Sequence, residues 1–449
     1  MDIKTLNIPL PEDLMKLKWN GQFDLLKEMI DIRVKKDIPL QLKERLLLEK
    51  EIIDDLKREY IYTRDEAIEI LKDKIRDFQE SEFDELFKES AFEFIFEEGI
   101  MKFKNDFYDN LIKTRKAYAQ RHKEEISYAN YELLDQVITK MKEEGELSYK
   151  IHVKVALKIK PEYEKIGKVI RVWLPIPIEY AQVEEFHIIK TTPEATLIND
   201  SHTNHRSVYF EVPLEHNQEF SVEYEFINHS IYQELDANIV TDEHPDCCLD
   251  EKLPHVVFSP YLCALVKEVV KEETNPLLKA KKIYEYITSH IMYSFVRQYV
   301  TLPPIPEYVA TGLKGDCGVQ AILFITMCRI AGIPATWQAG LYATPHEIGN
   351  HDWARFYIAP YGWLYADCSF GGSGYRNGSK LRRDFYFGHL EPFRIPSACE
   401  FQCDLNPSKQ FLRRDPYDHQ TGEVEYIDEL IPQDHYEMTQ SIIEIKESH

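Results

Sequence analysis

The apolar residues in the first third of the chain recur every three or four positions. Up to about residue 147 the sequence is rich in Leu, Ile, Phe, Lys and Glu and poor in Gly, as amphipathic helices are. Thr63 with Glu66, and Ser81 with Asp84, have the spacing of the capping pattern that opens a helix. We therefore predict a helical domain over residues 1–147, which either packs on the rest of the chain or forms oligomers through its helices.

The pattern then changes to strict alternation of apolar and polar positions, which indicates a half-buried strand. Further strand-like runs follow at 169–175, 207–212 and 220–226, separated by Pro, Asn and Asp. We predict an antiparallel β-sandwich over 148–232 with a structural role. Pro175 and Pro177 should end a strand or protect a sheet edge, because proline cannot donate to a ladder. The apolar positions of the first strand are Ile151, Val153, Val155, Leu157 and Ile159.

Candidate chemistry begins in the third region, 233–449. The run GDCGVQAILFITMCRIAGI (315–333) predicts a helix that starts near Cys317 and ends at Gly332. A thiol at a helix N-terminus is favoured as thiolate by the helix dipole and the unsatisfied N–H groups, which lower its pKa. The alternative is that Cys317 is an ordinary small residue before a core helix. Cys328, further along the same helix, is predicted to be buried packing.

A predicted hairpin supplies two partners for such a thiol. HDWARFYI (351–358) and GWLYADCSF (362–370) are both β-compatible and are joined by a Pro-Tyr-Gly turn. Antiparallel pairing brings the start of the first strand, with His351, to the end of the second, with Asp367. A carboxylate on one imidazole nitrogen fixes the tautomer, so the sequence indicates a Cys-His-Asp arrangement for acyl transfer.

The net charge and the number and spacing of the cysteines disfavour several classes of protein. The 449 residues carry 54 Lys and Arg against 77 Asp and Glu, a formal charge of −23, with 44% hydrophobic residues. This composition excludes a disordered chain and disfavours nucleic acid or an anionic membrane as partner. The chain start has no secretory signal pattern, and the apolar stretches fall short of a membrane span of about 20 residues. The eight cysteines form no regular framework, so we expect free thiols and a cytoplasmic protein.

A zinc site is the competing interpretation of the Cys and His residues. His244 and His255 flank the adjacent Cys247 and Cys248, and Cys399 and Cys403 follow His389. Adjacent cysteines do not easily serve one tetrahedral ion, and paired C-x-x-C spacing is missing. We therefore expect no metal. The sequence also has no phosphate-binding glycine loop and no acidic calcium loop, so we expect no cofactor.

The segments GDCGVQAILFITMCRIAGIPATWQAG, HDWARFYI and WLYADCSFG together resemble the transglutaminase-like superfamily, most closely its bacterial and archaeal members. The resemblance extends from about Pro260 to YFGHLEPFRI and DPYDHQTGEVE. It implies an α+β fold, with a papain-like transglutaminase core preceded by the β-sandwich and the N-terminal helical domain. It also implies that Cys317, His351 and Asp367 are catalytic. The additional β-barrel domains of the animal transglutaminases are not apparent, so we expect neither calcium dependence nor protein cross-linking as the main activity.

The resemblance implies thiol-dependent acyl transfer on amide bonds of peptides or proteins through a Cys thioester. We expect hydrolysis, as in a cysteine peptidase or amidase, including a peptide N-glycanase-like activity. The alternatives are protein-glutamine transamidation and a non-catalytic scaffold. The backbone N–H of Cys317 is a candidate oxyanion donor, and a second donor from 297–308 is not assigned. Trp337 and Trp353 could wall an acyl channel, although core packing is the default for each.

Overall fold

The computed structural model describes residues 3–123, 129–179, 182–302, 304–413 and 417–448. The α-helices of these ranges are α1 Glu12–Trp19, α2 Phe23–Val34, α3 Leu40–Glu59, α4 Arg64–Lys74, α5 Glu80–Lys88, α6 Phe107–Thr114, α7 Lys116–Ala119, α8 Ala129–Glu144, α9 Pro260–Val270, α10 Pro276–His290, α11 Ile305–Gly312, α12 Cys317–Ile330, α13 Cys368–Arg376 and α14 Lys380–Phe385.

The strands of the same ranges are β1 Tyr60–Thr63, β2 Phe94–Glu97, β3 Ile100–Lys104, β4 Glu146–Ile159, β5 Val169–Pro175, β6 Val183–Thr192, β7 Leu197–Ile198, β8 Ser207–Pro213, β9 Glu219–Ile231, β10 Met292–Tyr293, β11 Lys314–Gly315, β12 Ala335–Ala343, β13 Ile348–Ile358, β14 Gly362–Ala366, β15 Phe387–Gly388, β16 Arg394–Ala398, β17 Glu423–Tyr426, β18 Glu429–Leu430 and β19 Tyr436–Ser448. The chain divides into two compact units. The predicted α+β class is confirmed.

The first unit contains Met1–Ser127 together with Lys252–Val257 and Met292–Asp316. It is mainly helical, as predicted, but it also holds an antiparallel sheet of order β1-β3-β2. Phe94 and Phe103 are cross-strand partners in this sheet, and Gly99 forms the turn with φ of +81°. The predicted boundary at residue 147 is wrong, because α8 belongs to the second unit.

Helix capping in this unit follows the sequence in one of the two predicted places. Thr63 and Glu66 form the predicted capping box, with the Thr63 N–H donating to the Glu66 carboxylate at 2.8 Å. The second prediction is wrong, since Ser81 lies inside α5. There the Gln79 N–H donates to Glu82 at 2.8 Å.

A carboxylate that is only 12% exposed, Glu93, connects the late segment 292–316 to the rest of the first unit. Its oxygens accept from the Tyr308 hydroxyl at 2.9 Å and from Lys314 at 3.2 Å. Burial alone would raise the pKa of Glu93, but Lys314 and Arg297 lower it below its ordinary value. The stretch that directly precedes Cys317 in sequence is thus fixed within the first unit.

The second unit contains the β-sandwich, built from sheets of order β18-β17-β5-β8-β7 and β19-β4-β9-β6. The predicted strands are present as β4, β5, β8 and β9. The alternating residues Ile151 to Ile159 are at most 1% exposed and lie in the core between the sheets. Periodicity thus predicted both the strands and the face that each one buries.

The predicted domain boundary between 232 and 233 does not hold for the end of the chain. Strand β17 pairs with β5, and β19 pairs along β4 from Tyr436–Ile159 to Ser448–Ser148. The sandwich therefore needs residues 423–448 to complete both sheets. Strand β5 ends at Pro175 as predicted, but it lies between β17 and β8, so the proline does not protect an edge.

The third sheet, also in the second unit, carries the predicted chemistry. Its order is β15-β14-β13-β12-β16, and its neighbouring strands are antiparallel. Helix α12 packs on β12 and β13 and contacts α10 and α13. Its residues from Gly318 to Arg329 are all buried. Cys328 is fully buried and Gly332 adopts φ of +80° after the helix, both as predicted.

Within the described ranges, no helix combines the length and the hydropathy that crossing a membrane requires.

Candidate active site

Cys317 is the first residue of α12 and is partly exposed. The first four N–H groups of a helix have no partner inside the helix, so this position favours a thiolate. Two other thiols of the same unit are buried, unlike Cys317. Cys328 and Cys368 are at most 2% exposed, and burial raises the pKa of each well above its ordinary value. Cys317 therefore has a better environment for nucleophilic chemistry than these two buried thiols.

His351 and Asp367 are brought together as the hairpin predicts. Strands β13 and β14 pair up to Ala354 opposite Ala366, so Asp367 follows directly after the last paired residue. The His351 Nε2–H donates to Asp367 Oδ2 at 2.6 Å, and both side chains are buried. This contact assigns Nε2 to the carboxylate and leaves Nδ1 as the nitrogen that would exchange a proton with a thiol.

Asp367 is also the N-cap of α13. Its Oδ1 accepts from the Phe370 N–H at 2.9 Å and from the Ser369 hydroxyl at 3.0 Å. Burial alone would raise the pKa of Asp367, but His351 and Arg394 outweigh burial and hold it well below the usual range. The carboxylate is thus an anion at neutral pH, oriented by both the helix start and the histidine.

Arg394 is the partner that the sequence analysis missed. Its Nη1 donates to Asp367 Oδ2 at 2.8 Å, while Nε and Nη2 donate to the two carboxylate oxygens of Glu391 at 2.8 and 3.0 Å. All three side chains are 0% exposed. Burial raises the pKa of Glu391, and Arg394 opposes that rise. An Arg inside the apolar run FRIPSA was the available signal, since a buried guanidinium requires a carboxylate partner.

Aromatic rings surround the Arg394 guanidinium. Its central carbon lies 4.7 Å from the ring centroid of Phe370 and between 5.2 and 5.7 Å from three others. Rings at this distance attract a cation and exclude water from it. The three others are those of Tyr342, Trp353 and Tyr386.

A second carboxylate that the sequence analysis missed, Asp352, contacts the thiol. The Cys317 Sγ–H donates to Asp352 Oδ2 at 3.4 Å. Gln420 fixes this carboxylate, because its Nε2 donates both to Asp352 Oδ1 and to the His351 carbonyl oxygen, the latter at 3.0 Å. The structure therefore places the thiol against the residue that follows the predicted histidine.

The register of β13 determines which of its side chains lie on the same face of the sheet. Pairing with β12 is continuous from Ile348 to Phe356, so adjacent side chains leave on opposite faces. Phe356 packs against Phe324 of α12 with ring centroids 5.5 Å apart, and Asp352 shares its face. His351 shares the other face with Trp353. Asp352 thus lies on the face of β13 that Phe324 of α12 covers.

The two tryptophans predicted to wall a channel are buried. Trp337 and Trp353 are both 0% exposed. Trp353 donates its Nε1–H to Gln338 at 2.6 Å, and Trp337 packs against Phe401 with centroids 6.1 Å apart. Burial of both rings favours the core-packing alternative, and the acyl channel stays a prediction.

Among the residues that the structure describes, no group of three or more His, Cys, Asp or Glu has a geometry that could hold a metal ion. His389, one of the residues weighed for zinc, hydrogen bonds through Nε2 to the Gln233 carbonyl at 2.8 Å. The eight cysteines are free thiols.

No curated protein matches the chain. Among solved structures, a candidate cysteine protease from Cytophaga hutchinsonii matches with TM-score 0.44 and 16% identity, covering 67% of this chain and 91% of that one. The periplasmic domain of TgpA from Pseudomonas aeruginosa matches with TM-score 0.30 and 14% identity, covering 55% of this chain and 95% of the other.

The match to a protein family is more specific. Residues 263–368 match the profile of the transglutaminase-like superfamily, a stretch that includes Cys317, His351 and Asp367. This match supports a thiol-dependent enzyme in general terms. Residues 263–368 of this chain thus form a transglutaminase-like core.

Proposed function

We propose that this protein transfers acyl groups from amide bonds of peptides or proteins through a thioester on Cys317, and that water is the usual acceptor. The observation that carries the proposal is the 2.6 Å bond between His351 Nε2 and Asp367 Oδ2, with the thiol at the start of α12 contacting the residue after His351. A helix-start thiol and a histidine oriented by a carboxylate are the parts that acyl transfer needs.

The reaction proceeds in two halves. The Cys317 thiol gives its proton to Nδ1 of His351, and the sulfur attacks the amide carbonyl carbon, so that the C–S bond forms and the carbonyl electrons move to the oxygen. Collapse of this intermediate breaks the C–N bond, and the leaving amine takes a proton from the His351 imidazolium. Water then attacks the thioester carbonyl and gives one proton to His351. Collapse of this second intermediate breaks the C–S bond and releases the acid, and the imidazolium returns its proton to the Cys317 sulfur. The Cys317 backbone N–H is the proposed donor to the oxyanion.

This mechanism requires Sγ to come within about 3–3.5 Å of Nδ1 of His351. The thiol contacts Asp352 at 3.4 Å, and the Cα atoms of neighbouring residues are about 3.8 Å apart. The imidazole that would take the thiol proton therefore belongs to the residue next to Asp352, the partner that the thiol contacts.

Transamidation is the second candidate, and one contact favours it. The Asp352 carboxylate beside Sγ would attract a protonated amine, the acceptor that transamidation uses. We still favour water, because it is always present at high concentration. The charge of −23 also favours neutral or basic substrates weakly.

Mass spectrometry of a peptide and protein library distinguishes the reactions. The enzyme is incubated with and without a primary amine, beside the Cys317→Ala variant as control. Cleaved or deamidated products that require Cys317 support hydrolysis. Amine-tagged glutamines that dominate even at low amine concentration would instead establish transamidation, and no product in either arm would support a scaffold.

We further propose a cytoplasmic location, which rests on the free thiols and on the sequence expectation above. Cell fractionation with a thiol-trapping reagent tests this proposal, since a disulfide-bonded population in an exported fraction would contradict it. Self-association through the N-terminal helices is a separate proposal, tested by sedimentation of the full chain.

A further inference from the structure

Behind the histidine lies a chain of alternating charges. Asp367, Arg394 and Glu391 follow one another, joined by charge-assisted hydrogen bonds of 2.8 to 3.0 Å, and each is 0% exposed. Two carboxylates and one guanidinium leave one net negative charge. In a site closed off from water this excess charge acts strongly on the nearest group that can gain a proton, and that group is His351, bonded to Asp367 at 2.6 Å.

We propose that Glu391 is a positioning residue that, through Arg394, keeps the proton affinity of His351 high enough for it to act as the imidazolium of the reaction. This inference rests on the proposed function. With His351 protonated, the four groups alternate in sign and sum to zero. With His351 neutral, the cluster holds an uncompensated buried negative charge.

Arg394 by itself would have the opposite effect. Its Nη1 and the His351 Nε2 share one acceptor, Asp367 Oδ2, at 2.8 and 2.6 Å. A permanent cation at this distance competes with the imidazolium for the carboxylate and disfavours the proton on His351. Glu391 accepts two bonds from the same guanidinium and so neutralises it. Arg394 can then hold Asp367 in place without suppressing the imidazolium.

The described aromatic residues that face the guanidinium are uncharged. The Tyr342 and Tyr386 rings face the guanidinium, and burial raises the pKa of both hydroxyls, so they are neutral. Phe370 and Trp353 contribute apolar rings. Asp352, the residue after His351, lies on the other face of β13. Its carboxylate accepts from the Cys317 thiol at 3.4 Å.

Glu391 must be ionised for this role, and its contacts indicate that it is. Both of its oxygens accept from Arg394, Oε1 from Nε and Oε2 from Nη2. A protonated carboxyl has an O–H on one oxygen and would not accept well at both. The bidentate geometry is the one that guanidinium and carboxylate ions adopt.

The test is the pH titration of His351 itself, followed by NMR of the full chain with labelled histidine. The variants are made in the Cys317→Ala background, so that the thiol does not titrate, and His351→Gln assigns the signal. Glu391→Gln keeps the shape and removes the charge. We expect the His351 midpoint to fall by about half to one pH unit.

Glu425→Gln is the matched control. Glu425 is also 0% exposed and accepts backbone N–H groups at 3.0 Å, but it lies in β17 of the sandwich. We expect no change in the His351 midpoint for this variant, and recovery of the parental midpoint for Glu391→Asp. An unchanged or raised midpoint in Glu391→Gln, with the other histidine signals native, would overturn the proposal. This readout does not depend on turnover, so it remains valid if the proposed reaction fails.

In the active enzyme the same change has a second consequence. The limb of the kcat/KM pH profile that belongs to His351 should move to lower pH in Glu391→Gln by the same amount. A loss of kcat/KM that is uniform at all pH values would show a merely structural role for Glu391 and would contradict the inference.

Discussion

Replacing Arg394 by Met isolates what the buried guanidinium contributes to stability. Methionine has a similar length and no charge, so the change leaves Asp367 and Glu391 as two buried carboxylates without their cation. Three charge-assisted hydrogen bonds are lost, at 2.8, 2.8 and 3.0 Å. At about 1.5 kcal/mol each, the low end for bonds to charged groups, these sum to about 4 to 5 kcal/mol. Breaking a buried ion pair typically costs about 3–5 kcal/mol, which agrees.

The pH dependence identifies the cause of this loss. In the native protein the pKa of Asp367 is depressed, so its stabilising effect is present above the unfolded pKa and is lost as the pH falls through the folded value. In Arg394→Met the Glu391 carboxylate is left unpaired and instead gains a proton on folding, because burial raises its pKa, whereas Asp367 keeps its bond to His351. The variant is therefore stabilised on acidification, and the difference from the parent should be largest near pH 7 and smaller near pH 5.

Urea unfolding at pH 5, 6 and 7, followed by tryptophan fluorescence, measures this difference. Arg329→Met is the matched control. Arg329 is also buried in the same unit, but its guanidinium donates to the backbone carbonyls of Ala335 and Asp250 at 2.9 and 2.7 Å, so its loss breaks neither of the carboxylate pairs that Arg394 makes. We expect the cost of the control variant to be independent of pH. The charge argument would be refuted if Arg394→Met cost less than about 1 kcal/mol at pH 7, or if its cost did not change with pH.

Three further predictions concern the reaction. Cys317→Ala should abolish turnover and labelling by iodoacetamide with little change in melting temperature, whereas labelling of the buried Cys368 in the parent would show that the nucleophile is misassigned. His351→Ala should reduce kcat about as much as loss of the thiol, because members of a catalytic unit are non-additive; Asp367→Asn should cost less, and small equal losses for the two would argue against a triad. Asp352→Asn should speed alkylation of the Cys317 thiol near pH 7 by about 2- to 10-fold, because a carboxylate that accepts the thiol proton at 3.4 Å disfavours a neighbouring thiolate. Slower alkylation would mean that Asp352 instead acts as a base toward the thiol.

The sequence by itself determined the elements that short-range patterns encode. Alternation over 151–159 predicted the buried face of β4, and the helix from Cys317 to Gly332 followed from an unbroken apolar run and a glycine stop. The contact between His351 and Asp367 was also predictable, since a tight hairpin fixes which residues of two adjacent strands meet. Each of these features depends on residues within about 20 positions of one another.

Only the tertiary structure decided the contacts between distant segments. Arg394 reaches Asp367 because β16 pairs with β12, and β19 completes the sandwich beside β4 although most of the chain separates them. Asp352 meets the Cys317 thiol because α12 packs on β13. Local periodicity shows that a side chain is directed inward, but the partner that it meets there depends on how the strands are ordered in the sheet and on which face each helix covers.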